Sequence, residues 1–256
     1  MTTEVYVISH KEYKMPQDKI YCPLQVGKGA QITGYLRDDS GENIALKNPN
    51  YCELTGQYWA WKNRKTDVKG LVHYRRLFTN GKNPYGSKES KYDKLLDEAT
   101  LGTLLKQYDL ILPKKRNYYI ESLWSHYEHS HNIEGLEVTR EVIAEKNPDY
   151  LPAFDQVMKR KKAHMFNMMI AKSEIFDAYS AWLFDILFEV EKRVDISDYS
   201  PSEARIFGYI SELLLDVWIE VNQPKYCELP VAFIEGQNYL VKGANMIQRK
   251  LTGKYE

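Results

Sequence analysis

The sequence has no surplus charge of either sign: 35 lysines and arginines balance 35 aspartates and glutamates over 256 residues. A protein that holds nucleic acid by bulk phosphate attraction carries a basic excess, so the balance argues against that class while leaving room for a local basic patch. Cysteine is scarce and scattered. Cys22, Cys52 and Cys227 form no C-x-x-C pair, which excludes a disulfide framework and a thiolate zinc site and fits a reducing compartment. The opening MTTEVYVISH lacks the basic-then-apolar pattern of a secretory signal. No apolar run approaches the roughly 18 residues that cross a bilayer. Repeats, low-complexity linkers and breaks in composition are also missing, so a single domain over 1–256 is expected. Its expected location is cytoplasmic, peripheral to a membrane at most. Aromatics, by contrast, are plentiful: 20 tyrosines and 5 tryptophans, amphipathic rings that suit sugars, bases or headgroups as well as a core.

With 43% hydrophobic residues, the chain is long enough for a large α/β core. Residues 4–9 read as an opening strand that delivers Ser9 and His10 at its carboxyl end, where open α/β sheets start a ligand site. Residues 26–50, rich in Gly, Asp and Asn, read as a loop of a length that is uncommon unless it binds something. Asn50 and Glu53 make a capping-box pattern, and Leu54, Tyr58 and Trp61 follow as the stripe of a helix. A strand over 69–73 runs into Tyr74-Arg75-Arg76, a helix over 92–107 follows, then a strand over 108–113. This alternation predicts a mostly parallel sheet flanked by helices. Residues 120–162 look helical in pieces, 165–170 like a buried strand, and 176–190 like a helix packed on several sides. Ser200-Pro201-Ser202-Glu203 is a helix start; a short strand over 231–234 and a basic end complete the chain.

Chemistry concentrates in a few places. His73-Tyr74-Arg75-Arg76 stands at the end of a central strand, where two guanidiniums could clamp a diphosphate or simply line a surface turn. Asp38-Asp39-Ser40-Gly41-Glu42-Asn43 could hold a ribose, an amino group or a metal, or be a solvated turn. On the late helix, Arg205, Glu212 and Asp216 project within about 40° of one another at 100° per residue. That face is either an ion-pair row or a general base beside a cation. Gly208, costly inside a helix, marks a close approach. His126-x-x-His129-x-His131 lacks the further ligand of a known metal spacing. Lys159-Arg160-Lys161-Lys162 and Lys114-Lys115-Arg116 could touch anionic lipid or be solvated helix ends.

The runs DDSGENIALKNPNYCELTGQYWAWKN and GLVHYRRLF, followed by YDLILPKKRNYYIESLWSHYEHSH, MFNMMIAKSEIFDAYSAWLFDILFEVEKR and RIFGYISELLLDVW, resemble one bacterial family. It comprises glycosyltransferases of capsular polysaccharide, exopolysaccharide and O-antigen synthesis, long filed as a domain of unknown function. The resemblance covers the chain from about Val5 to Ile234. It implies a GT-A-like α/β fold, with a nucleotide-binding half over about 1–115 and a helix-rich acceptor half over about 116–256 on one sheet. It also implies transfer of a sugar, galactose in pyranose or furanose form, from a UDP-sugar donor to a lipid-linked glycan at the cytoplasmic face of the inner membrane. A non-catalytic nucleotide- or carbohydrate-binding partner in an assembly complex is the alternative.

By this resemblance Ser9, His10, Asp38, Asn43, His73, Arg75 and Arg76 would bind the donor. Many GT-A enzymes carry an Asp-x-Asp metal motif where this chain has His73-Tyr74-Arg75-Arg76, with no carboxylate. The expected enzyme is therefore cofactor-free, manganese or magnesium not favoured, its arginines neutralising the diphosphate. Asn167 and the preceding His164 would meet sugar or acceptor. Glu212 would be the general base, with Arg205 as its neighbour. Glu53 reads first as a helix cap and second as a catalytic group, and Trp59 and Trp61 read first as core and second as a sugar-stacking platform.

Overall fold

The computed structural model describes residues 1–235; the basic end of the chain lies outside them. The strands are β1 (Thr3–Ser9), β2 (Tyr21–Gln25), β3 (Leu36–Arg37), β4 (Val68–His73), β5 (Arg76–Phe78), β6 (Leu110–Pro113), β7 (Arg116–Asn117), β8 (Lys162–Ala163), β9 (Met169–Lys172), β10 (Tyr226–Leu229) and β11 (Val231–Phe233). The helices are α1 (Asn48–Tyr51), α2 (Leu54–Asn63), α3 (Lys88–Tyr92), α4 (Glu98–Leu104), α5 (Leu123–Ser130), α6 (Glu134–Lys146), α7 (Leu151–Met158), α8 (Ser173–Arg193) and α9 (Ile206–Asn222). The main sheet runs β10-β6-β9-β4-β1-β2-β3. β1 pairs in parallel with β2 and β4, β2 with β3, and β6 with β10, while β9 opposes both of its neighbours. The fold is therefore mixed α/β on a mostly parallel sheet, as the alternation predicts.

Period-two alternation along β1 explains the layers. Tyr6 and Ile8 face a core shared with α2, α6, α7, α8 and α9, whereas Val5 and Val7 face a second core with Leu101, Leu105 and Ile111. Gly56 lets α2 lie directly on the sheet, since a Cβ there would sit 2.6 Å from Ile8 Cδ1. The N-terminal end of α2 is thereby held above the carboxyl ends of β1 and β4. None of the described helices is long and apolar enough to cross a membrane.

The structure departs from the sequence expectations at several boundaries. β2, with Pro23 in its middle, has no apolar alternation to announce it. The helix expected over 92–107 is shortened to α4, with α3 ending where it should begin, because Asp97 accepts from the Thr100 N–H and starts a new helix. The strand expected at 165 begins only at Met169, because Phe166 and Asn167 adopt φ of 81° and 48°. Ser200 and Glu203 do form their reciprocal capping bonds, but these close a 3-10 turn, and α9 starts at Ile206.

An ion pair with its lysine end buried pins α8 to the sheet. Lys69 of β4, its side chain 2% exposed, reaches Asp177 of α8 at 2.7 Å. Removing one partner of such a pair leaves an uncompensated charge, which costs more than the pair itself contributes. Asp177→Ala should lower unfolding free energy by about 3 kcal/mol in urea titrations, and adding Lys69→Met should restore most of it. A double variant no more stable than Asp177→Ala would refute this account.

Candidate active site

The site is built around the turn that joins β8 to β9. β8 enters it through a buried anchor. His164 places Nδ1 2.6 Å from Asp216 Oδ1 and Nε2 3.0 Å from Glu228 Oε1, while its backbone N–H donates to Asp216 Oδ2. Both ring nitrogens are thus occupied by carboxylates and the ring is fully buried, so His164 serves the scaffold rather than a sugar or acceptor. Asp216 is drawn into the same anchor and away from any ion-pair row.

Phe166 and Asn167 follow in left-handed backbone, unusual for side-chain-bearing residues and notable for a bulky aromatic. Five hydrogen bonds hold them there. The Phe166 N–H donates to Glu212 Oε1 at 3.1 Å, and its carbonyl accepts from His73 Nε2 at 2.7 Å. The Asn167 amide donates to Glu53 Oε1 at 2.8 Å and to the Gly208 carbonyl at 3.0 Å, while Asn167 Oδ1 accepts from Ser211. The turn therefore gathers the start of α2, the end of β4 and the middle of α9 at one point.

Glu53 corrects the capping expectation. It stands at the N-cap position of α2 but makes no capping bond there. The chain reverses at Cys52, with φ of 52°, and this turns the Glu53 side chain toward Asn167 and to 4.0 Å from His73 Nε2. Glu53 and Glu212 thus flank the same turn. Burial, and next the charge of Glu53, push the Glu212 carboxyl up to about 7, against the opposing pull of Arg76, the Phe166 N–H and Arg116. Burial draws the His73 pKa below its usual range, partly countered by Glu53. Arg76, lying over the Phe166 ring at 4.8 Å, is also lowered by burial and held up by Glu212 and Glu53.

The two adjacent arginines do not act as one clamp. Arg76 turns inward to the carboxylates, while Arg75 is exposed, meets Glu235 at 3.3 Å and covers the Tyr74 ring. The cause is a tight turn: Tyr74 and Arg75 form the two-residue link between β4 and β5, and Arg76 pairs antiparallel with His73. Arg75 instead joins His10 and Lys11 around Tyr74 and Tyr13, and the His10 pKa falls through partial burial and these two cations. Ser9 is buried, its hydroxyl donating to the Lys11 carbonyl at 2.5 Å. Asp38, just beyond β3, is fully buried with neither carboxylate oxygen hydrogen-bonded, and burial raises its pKa to about 6. Asn43 lies elsewhere: the neighbouring Glu42 backbone is bonded to Asn63 at the far end of α2, one ten-residue helix, about 15 Å, from Glu53. Arg205 is not beside Glu212, because the 3-10 turn before α9 rotates it onto Cys52 Sγ at 3.1 Å.

A cavity of about 160 Å³ opens beside Glu212, walled by Arg116, Tyr118, His126, His131 and Tyr209. His131 stacks on Tyr209 and Tyr118 packs against His126, with centroids 4.0 and 4.1 Å apart. His126 and His129 both present Nδ1 to Glu121, which leaves them as a hydrogen-bonded trio. At the strand end His73 Nε2 is taken by the Phe166 carbonyl and Glu53 Oε1 by the Asn167 amide. Among the described residues no group of three or more His, Cys, Asp or Glu is arranged to hold a metal ion. Arg116, Tyr118 and Ser211 escape sequence reasoning as site residues, and Glu53 ranks there as a cap before a catalytic group; no spacing rule joins it to a turn 114 residues away.

Asn167→Asp should set a carboxylate against Glu53 and lower the melting temperature, and Glu53→Gln in the same chain should recover most of the loss. If the two changes simply add in a double-variant cycle, the contact is not formed.

A family model described as a domain of unknown function, DUF4422, matches residues 4–223. No curated protein matches the chain. Among solved structures the chain is similar to the apo structure of the WbbM bifunctional glycosyltransferase, at 28% identity and a TM-score of 0.85. The match covers 92% of this chain and 46% of that one, so the present chain spans about half the length of its structural relative.

Proposed function

We propose that this chain, which belongs to the DUF4422 family, is a glycosyltransferase. It moves a sugar from a nucleotide-sugar donor to a glycan acceptor. The observation that carries this reading is the meeting of Glu53, His73, Arg76, Asn167 and Glu212 beside an aromatic-walled cavity, on a fold shared with a glycosyltransferase chain. The donor is UDP-linked, with galactose in either ring form, and the acceptor a lipid-linked glycan of bacterial capsule, exopolysaccharide or O-antigen synthesis; the sequence runs quoted above support these finer terms.

The donor lies across the carboxyl ends of β1 and β4. Lys11 and Arg75 supply positive charge at the rim, His10 stands beside them as a neutral ring, and Asp38 lies wholly buried behind the rim. Arg76 neutralises the charge that develops on the leaving diphosphate, the part a metal plays in enzymes with the Asp-x-Asp motif. The acceptor sugar occupies the cavity, where the His131–Tyr209 and Tyr118–His126 pairs offer flat faces to a sugar ring. In an inverting displacement, the acceptor hydroxyl attacks the anomeric carbon, the bond to the diphosphate breaks with its electron pair, and Glu212 takes the hydroxyl proton. A carboxyl raised to about 7 by burial is suited to that task near neutral pH. Glu53 positions Asn167 and keeps Glu212 basic.

Glu212→Gln, which keeps the acceptor for the Phe166 N–H, should lower sugar transfer by 10²-fold or more while UDP binding persists; near-wild-type turnover would remove Glu212 as the base. In the wild type, transfer should fall as pH drops below about 7, where Glu212 gains its proton. The same raised pKa means that its contribution to stability, present at low pH, is lost as pH rises through about 7. Glu212→Gln should therefore stabilise the fold at pH 8 relative to the wild type, read by thermal unfolding. A UDP-release screen over nucleotide sugars, with and without chelator, tests donor and metal together. Turnover that requires added manganese would contradict the assigned role of Arg76.

A further inference from the structure

Two basic runs, 114–116 and 159–162, lie some 45 residues apart in sequence, and the fold sets them side by side. β7 and β8 pair antiparallel, Arg116 opposite Ala163 and Asn117 opposite Lys162. The Tyr118 N–H donates to the Lys161 carbonyl and the Leu123 N–H to the Arg160 carbonyl, so the loop between them is laid along the second run. At its tip stand Tyr119 and Ile120, 72% and 55% exposed, with Tyr119 fixed in left-handed backbone by a bond from its N–H to Asn117 Oδ1. Two large apolar side chains thus protrude from a collar of lysines.

The charges there are not internally spent. Among the described residues, Lys114, Lys115, Lys159, Lys161 and Lys162 form no ion pair, whereas the nearby carboxylates are engaged: Glu121 by His126 and His129, Glu220 by Arg160, and Glu228 by His164. An apolar tip within uncompensated positive charge is complementary to one surface in particular, a bilayer with anionic headgroups. The tip enters the interface while the lysines remain at the level of the phosphates. The tip is also tied to the cavity beside Glu212, for Tyr118 and Leu123, which bracket it, both line that cavity.

We propose that the 118–123 loop and the 159–162 run form a docking surface for an anionic membrane, which sets the mouth of the cavity at the lipid surface. Its value for delivering a lipid-linked acceptor rests on the proposed glycosyl transfer; the docking itself rests on the exposure and charge above. The test is co-sedimentation of the full chain with phosphatidylcholine vesicles, with and without phosphatidylglycerol. The chain should sediment with the anionic vesicles and release in raised salt. Lys161→Ala/Lys162→Ala should weaken binding about thirtyfold, at about fivefold per charge, and Tyr119→Ser/Ile120→Ser should weaken it as well. Should the apolar pair disturb folding, the lysine pair carries the test. Equal sedimentation with neutral and anionic vesicles, no sedimentation with either, or binding unchanged in the lysine pair would overturn the proposal. UDP release measured without lipid on the same preparations reports the transfer reaction separately, so the two readings fail independently.

Discussion

The strained turn at Phe166 and Asn167 is the constraint on which the site depends. Two successive side-chain-bearing residues in left-handed backbone cost about 1–3 kcal/mol each. The five hydrogen bonds that hold the turn contribute about 1 kcal/mol each, enough to offset that cost. They come from β4, α2 and α9, three elements that share one core and are pinned to one another at this point. Strain and convergence are two sides of one arrangement: relaxing the turn would separate Glu53 from Glu212 and release His73. Such over-determined backbone is more often met at functional sites than in inert scaffold.

The same convergence explains which parts of the molecule were legible in the sequence. β1, β4 and β6 announce themselves as apolar runs, and their alternation with helices implies a mostly parallel sheet. Glu212, Arg76 and Asn167 could be singled out because each stands on a face or at a strand end that patterning defines. Glu53 could not: its position three residues after Asn50 fits a capping box, and only the reversal at Cys52 turns it into the site. The placing of Arg205 and of the Arg75–Arg76 pair is hidden from the sequence for related reasons. A helix face drawn through Arg205 assumes α-helix where a 3-10 turn intervenes, and the Arg-Arg pair straddles a tight turn, with Arg75 in the turn and Arg76 opening β5. His164 looked free to bind because its partners, Asp216 and Glu228, lie 52 and 64 residues away.

Zero net charge conceals a sorted distribution. Carboxylates and a guanidinium meet in the interior, where burial and the charge of Glu53 raise the Glu212 pKa against the pull of Arg76. Lysines that form no ion pair among the described residues collect around the tip at Tyr119, and a smaller basic rim of Lys11 and Arg75 borders the strand ends. The aromatic surplus divides likewise, into core rings such as Tyr6, Trp59 and Phe184 and the rings that wall the cavity.

The central claim is that the turn holds Glu53 close enough to keep Glu212 basic. The most direct measurement is a carbon-13 NMR titration of the Glu212 carboxyl in the wild type and in Glu53→Gln. The account predicts a wild-type midpoint near 7 that moves to lower pH when the charge of Glu53 is removed. A midpoint in the ordinary carboxylate range, or one that does not move in the variant, would contradict it.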